Sequence, residues 1–232
     1  MGLRDDLEKE VGEIFKERWT TRDGRIVPDE DSVSLGNDGI KIEAAVLYAD
    51  LAESTWLVNK KTGTFAAEVY KAYLRCASKI IRAEGGELTA FDGDRVMAVF
   101  LSGAKNTSAA RSALKINYAV RNIINPGIRK VYPESTYEVR QAVGVDTSTL
   151  LVAKTGIRNS NDLVWVGRAA NYAAKLCSLR TEGYASWITE TVYTNMLEDA
   201  KLSDAGKPMW EARLWTAMDK MRIYRSSWTW KF

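Results

Sequence analysis

The 232-residue sequence contains no histidine. That absence excludes histidine general acid–base catalysis, a Ser-His-Asp triad and any imidazole-ligated zinc site. Cysteine is almost as scarce. Cys76 and Cys177 are the only two, far apart and in predicted helices, so neither a disulfide framework nor a Cys-rich zinc site is expected, and both read as reduced core residues. No apolar run approaches the ~20 residues that span a bilayer. The first residues, Met1–Glu8, are charged and lack an apolar signal segment, which places the expected protein in the cytoplasm and off the membrane. A strong basic excess is also missing. The formal net charge of +3 is too small to argue for nucleic-acid binding. What remains, 46% hydrophobic and 27% charged residues, is the composition of an ordinary globular protein, long enough for one large domain or a domain with extensions.

Periodicity supplies the organisation. Leu3, Leu7, Val11, Ile14 and Phe15 recur at helical spacing and predict an amphipathic helix over 3–18. The polar stretch 20–41, with Asp23-Gly24, Pro28 and Asn37-Asp38-Gly39, reads as an arm. A core strand follows at 42–51. A helix is predicted over 64–84, ended by Gly85-Gly86, and a hairpin over 87–101 turns at Phe91-Asp92-Gly93-Asp94. Then come a helix over 107–124 closed by Asn125-Pro126-Gly127, a strand over 137–147, short strands at 150–154 and 163–166, and a helix from Arg168 to about Leu179. A strand at 186–189 and a short helix at 190–197 complete the run. The order β-α-β-β-α-β predicts an α+β fold of ferredoxin-like type, one antiparallel sheet with helices on one face. The C-terminal segment 200–232 holds Trp210, Trp215, Trp228 and Trp230. Trp210, Leu214, Met218 and Met221 fit one helix face, and 223–232 reads as a closing strand. Aromatics at these spacings suit core or dimer contacts better than a surface for single-stranded nucleic acid.

Two carboxylates stand out within this pattern. Asp50 ends the apolar run Ala44–Ala49, and Asp94 sits in the hairpin turn before Val96–Phe100. Carboxylates on adjacent strands can hold divalent metal against a nucleoside triphosphate, which points to phosphoryl chemistry. Without that chemistry, Asp50 would serve as a helix N-cap and Asp94 as a turn residue.

The surrounding motifs resemble the class III nucleotidyl cyclases. Leu47-Tyr48-Ala49-Asp50-Leu51 is similar to that family's Phe-Ala-Asp-Ile segment, and Gly93-Asp94 with Val96–Phe100 to its second metal motif. Gly144-Val145-Asp146-Thr147 is similar to its Gly-Ile-His-Thr-Gly strand end, from which Asp146 and Ser148 depart. Gly167 to Leu176 resembles its Gly-x-x-x-Asn-x-Ala-x-Arg helix. The resemblance covers about 42–195 and divides the chain into an N-terminal helix and arm (1–41), a catalytic domain (42–199) and a Trp-rich extension packed on it (200–232).

The resemblance implies that Asp50 and Asp94, with the Leu51 backbone, bind two Mg²⁺ or Mn²⁺ ions, and that amides of 51–55, with Ser54 and Thr55, cradle the phosphates. It implies that Asn171 orients the ribose and that Lys175, at i+4 on the same helix, stands where the family has a transition-state Arg. Lysine supplies charge but no bidentate fork. The family shares its sites between subunits, which implies a head-to-tail homodimer. At the two base-reading positions this chain has Ala90 and Val164, neither with a side-chain hydrogen-bonding group for a purine edge. Tyr48, two residues before Asp50, shares its strand face; it either suits a smaller base, by crowding the pocket or donating a hydrogen bond, or is a core aromatic with its hydroxyl at the surface. These departures resemble the pyrimidine cyclases of bacterial Pycsar antiphage systems, especially the uridylate cyclases. UTP is the favoured substrate, with a separate effector responding to the product. A cytidylate or purine cyclase, or a degenerate nucleotide-sensing or dimerisation module, are the alternatives. Asp92 reads as an ordinary turn aspartate.

Overall fold

A computed structural model describes residues 2–232. The chain divides into two compact units. One takes in the chain up to Glu43 together with Thr149–Gly167, the other Ala44–Ser148 and Arg168–Phe232.

In the first unit, helix α1 (Leu3–Lys16) forms as expected and leaves Leu3, Leu7, Val11, Ile14 and Phe15 exposed. Its end is fastened by Asn37, whose Nδ2 donates to Ile14 O (2.8 Å) and Glu17 O (2.7 Å). The arm is more ordered than its polarity suggested. Strand β1 (Thr20–Asp23) pairs in parallel with the start of β2 (Asp38–Leu51), so β2 begins before the expected residue 42. Strand β5 (Gln141–Ile157) is one continuous strand rather than the two expected, and its far half pairs with β6 (Ser160–Val166).

The second unit carries the predicted β-α-β-β-α-β pattern. After β2 come a short helix α2 (Ser54–Lys60), implied in sequence only by the reading of Asp50 as an N-cap, and α3 (Gly63–Ala83). Strands β3 (Glu87–Asp92) and β4 (Arg95–Phe100) form the predicted hairpin, with Gly93 at φ +59°, where a side chain would be strained. Helix α4 (Lys105–Ala119) follows, then α5 (Asn125–Val131). Helix α6 (Arg168–Cys177), β7 (Ser186–Thr189), α7 (Glu190–Asn195), β8 (Glu211–Trp215) and β9 (Met221–Ser226) complete the fold. The sheet order is β3-β4-β2-β5-β7-β9-β8. Its first four strands are the ferredoxin-like arrangement. Ala52 N donates to Arg140 O and Thr147 Oγ1 to Ala44 O, so β2 and β5 run antiparallel. The β5/β7 pair is parallel, an exception to the expected all-antiparallel sheet.

Four expectations need correction. Helices cover both faces of the sheet, not one. Val143 and Val145 pack with α3 and α4 in the main core, while the intervening Gly144 faces α6. A Cβ on Gly144 would lie 2.2 Å from Ala173 O and 2.5 Å from Cys177 N, so only glycine lets α6 approach that closely. The helix predicted to close at Asn125-Pro126-Gly127 instead runs on through a π turn (Val120–Ile124) into α5. Pro126 sits in the first turn of α5, where its missing N–H costs nothing. The Trp210–Met221 segment is not a helix. It enters the β8/β9 hairpin, whose turn has Asp219 and Lys220 at positive φ and no glycine to announce it. Strand β9 also stops at Ser226, short of the expected 232. The tail beyond is bonded to α4, Trp230 N to Leu114 O and Asn117 Nδ2 to Trp228 O.

Candidate active site

The site is built by strand register. Asp50 on β2 pairs with Arg95 on β4, which pairs with Asp92 on β3. Two residues away, Tyr48, Met97 and Ala90 form a second row across the same three strands. A displacement of two along each strand keeps both rows on one face. Leu47, Ala49, Leu51, Val96 and Ala98 point the other way, into the core under α3 and α4. The face that bears Asp50 and Tyr48 is therefore the one opposite those helices.

Asp50 is buried and accepts from Arg180 Nη2 at 2.8 Å and from Arg95 Nη2 at 3.5 Å, both on Oδ2. Burial pushes its carboxyl pKa up, Arg95 opposes that, and the charge of Asp94 adds to the rise. Asp94 follows Gly93 in the β3/β4 turn. Its Oδ2 is buried without a hydrogen-bond partner among the described residues. An orphaned carboxylate oxygen next to a second carboxylate is a donor set short of a cation. No cluster of three or more His, Cys, Asp or Glu side chains among the described residues could hold a metal alone. Asp50 and Asp94 therefore fit a divalent ion only with further oxygens, of which the Leu51 carbonyl and substrate phosphates are the natural sources.

The remaining expected residues divide between places. Tyr48 and Ala90 lie half-buried in the second row, with the Arg95 guanidinium 5.9 Å from the Tyr48 ring centroid. Ser54 opens α2 and is half-buried, while Thr55 is exposed. Of the amides expected to cradle phosphate, that of Ala52 is already bonded to Arg140 O at 2.8 Å, so it is not free for that task. Glu53 turns the chain at φ +60° and is paired with Arg140 Nη2 at 2.5 Å. Asn171 is exposed on α6, and Lys175 Nζ lies 3.7 Å from Met218 Sδ. Val164 belongs to the other unit, exposed on β6. A cavity of about 240 Å³, lined by Tyr184, Trp210, Glu211, Arg225 and Trp228 among others, contains none of these residues.

Three groups were not foreseen from sequence. Arg95 was legible in principle, because the hairpin register puts it opposite Asp50. Arg180 was not, since it arrives from the segment after α6. Asp146, noted only as a departure from a motif, is fully buried and accepts from Thr189 Oγ1 (2.6 Å) and Arg168 Nε (3.1 Å). It thereby ties the start of α6 to β5 and β7.

The sheet order and the helices packed on it are the fold of a class III nucleotidyl cyclase domain. The guanylyl cyclase Cya2 superposes with a TM-score of 0.68 at 16% identity, over 83% of this chain and 95% of that one. No protein-family model matches the chain. It is 50% identical over 232 residues to the uridylate cyclase of Xanthomonas perforans, spanning 100% of this chain and 99% of the relative. It is 49% identical to that of Burkholderia cepacia, over 99% of each. The chain belongs to the uridylate cyclase family and is a nucleotidyl cyclase.

Proposed function

We propose that this enzyme closes UTP into 3′,5′-cyclic UMP with release of diphosphate, as a metal-dependent head-to-tail homodimer in the bacterial cytoplasm. The observation that carries the metal reading is Asp94 Oδ2, buried and without a hydrogen-bond partner among the described residues, close enough to Asp50 for its charge to lift that carboxyl's pKa. Asp50, Asp94 and the Leu51 carbonyl would hold two divalent ions, Mn²⁺ or Mg²⁺, which lower the pKa of the ribose 3′-hydroxyl and neutralise triphosphate charge. The 3′-oxygen, having lost its proton, attacks the α-phosphorus. The bond from that phosphorus to the α,β-bridging oxygen breaks, and diphosphate leaves in line. Asn171 and Lys175, exposed on α6, would reach the ribose and the transferring phosphorus of the second copy's site.

The row Tyr48-Met97-Ala90 supports the choice of a pyrimidine. It offers one phenol and no side-chain amide or carboxylate to a base edge, and Val164 adds none. The identity with named uridylate cyclases supports UTP over CTP. By the resemblance to Pycsar systems, the cyclic product would signal phage infection to a separate effector. Incubation with ATP, GTP, CTP and UTP plus Mn²⁺, followed by mass identification, is expected to yield cyclic UMP as the main product. Cyclic CMP would correct the base, cyclic AMP or GMP would overturn the pyrimidine reading, and no cyclic product at all would overturn the proposed UTP cyclisation.

A further inference from the structure

Two of the three donors assigned above to metal, Asp50 and the Leu51 carbonyl, are already held by a cation of the chain. Arg180 Nη2 donates to Asp50 Oδ2 at 2.8 Å and to Leu51 O at 3.4 Å, while its Nη1 donates to Cys177 O at 2.6 Å. One guanidinium thus bridges Asp50, the Leu51 carbonyl and the C-terminal end of α6. A divalent ion on Asp50 Oδ2 or Leu51 O competes with this guanidinium for lone pairs, and one on the neighbouring Oδ1 is repelled by it. Arginine cannot shed its charge to make way. It has to move, and a side chain 38% exposed is free to turn outward. Its anchor at Cys177 O keeps it beside Asp50 when it does. The anion at that place, once metal is bound, is the triphosphate, whose oxygens match a bidentate fork that Lys175 cannot provide.

We propose that Arg180 is a substrate-binding residue that couples metal to triphosphate: it covers Asp50 and Leu51 O until a divalent ion takes them, then transfers its hydrogen bonds to the phosphates. The inference rests on the metal reading given under the proposed function. Its consequence is that metal alone binds weakly, while metal and triphosphate together bind well, because the triphosphate gives the displaced guanidinium a new partner.

Two affinities measured on the full-length protein test this. The first is for Mn²⁺ alone, followed by the paramagnetic resonance signal of the free ion. The second is for inorganic tripolyphosphate at saturating Mn²⁺, by calorimetry. In Arg180→Gln the first affinity is expected to rise about tenfold and the second to fall about tenfold, the scale of a single coupling between sites. Arg180→Lys should lie nearer the wild type in both. Opposite signs separate the proposal from damage to the α6 end, which would weaken both together. An unchanged or weaker Mn²⁺ affinity in Arg180→Gln overturns the covering role, and an unchanged tripolyphosphate affinity overturns the transfer. If wild-type protein binds no Mn²⁺ with or without tripolyphosphate, or Asp50→Asn binds it as well as wild type, the metal reading itself fails and takes this inference with it.

Discussion

At Asp50 the demands of folding and chemistry pull in opposite directions. Its raised pKa means that the fold favours the protonated form. The stability this contributes is fully present below the unfolded-state pKa and is lost as pH rises through the higher folded-state value. At neutral pH the ionised carboxylate is therefore a cost that a neutral isostere escapes. Asp50→Asn is expected to raise the melting temperature at pH 7, with the gain vanishing in acid, while the proposed metal role predicts a loss of cyclase activity of about 100-fold or more, since removing a group that merely orients a metal ligand already costs about 10–100-fold. Thermal scans at several pH values and a product assay check both halves. Asp50 and Asp94 were legible because apolar strands ending in a lone carboxylate are conspicuous in sequence. Their cations were legible only in part. Arg95 follows from hairpin register, whereas Arg180 depends on a contact over a long sequence separation that no local pattern announces.

Among the elements, the passage from α4 into α5 shows how a strong breaker signal is overridden. Asn125-Pro126-Gly127 has the composition of a helix stop. The π turn before it lets Pro126 enter as a first-turn residue, and the buried Asn125 amide pairs with the segment leading into β5, Nδ2 to Val139 O (3.1 Å) and Oδ1 from Val139 N (2.8 Å). Asn125→Ala strips both partners from buried Val139 and is expected to cost about 2–3 kcal/mol, read as a lower urea midpoint with an unchanged slope. The β8/β9 hairpin failed to show in sequence for a related reason. Its turn uses Asp219 and Lys220 at φ +51° and +58°, without the glycine that marks the β3/β4 turn. The placement of α6 was hidden because sequence periodicity shows which face of a helix is apolar but not which face of the sheet receives it. Gly144 was the available signal, a glycine inside a strand where another backbone comes close.

For the molecule as a whole, the β-α-β-β-α-β order and its four-strand core could be read in advance, because helix and strand periods alternate cleanly from 42 to 147. The assembly is the larger question. Asn171 and Lys175 lie exposed on α6, while Asp50 is already engaged by Arg95 and Arg180 of its own chain. If the site is shared, Asp50→Ala and Asn171→Ala, each inactive and folded, should regain up to about a quarter of wild-type activity when mixed in equal amounts, as random pairing of two copies leaves half the dimers with one intact site. Absence of rescue would refute the shared-site dimer. The two cysteines bear on the same question from another side. Cys177 is sealed beneath α6, its thiol against Ala142 O and its pKa pushed by burial to about 12, whereas Cys76 on α3 is only half-buried. Each folded copy thus presents a single thiol to an alkylating spin label, and a symmetric pair of copies would carry two labels and one distance, a ruler built into the unmodified chain.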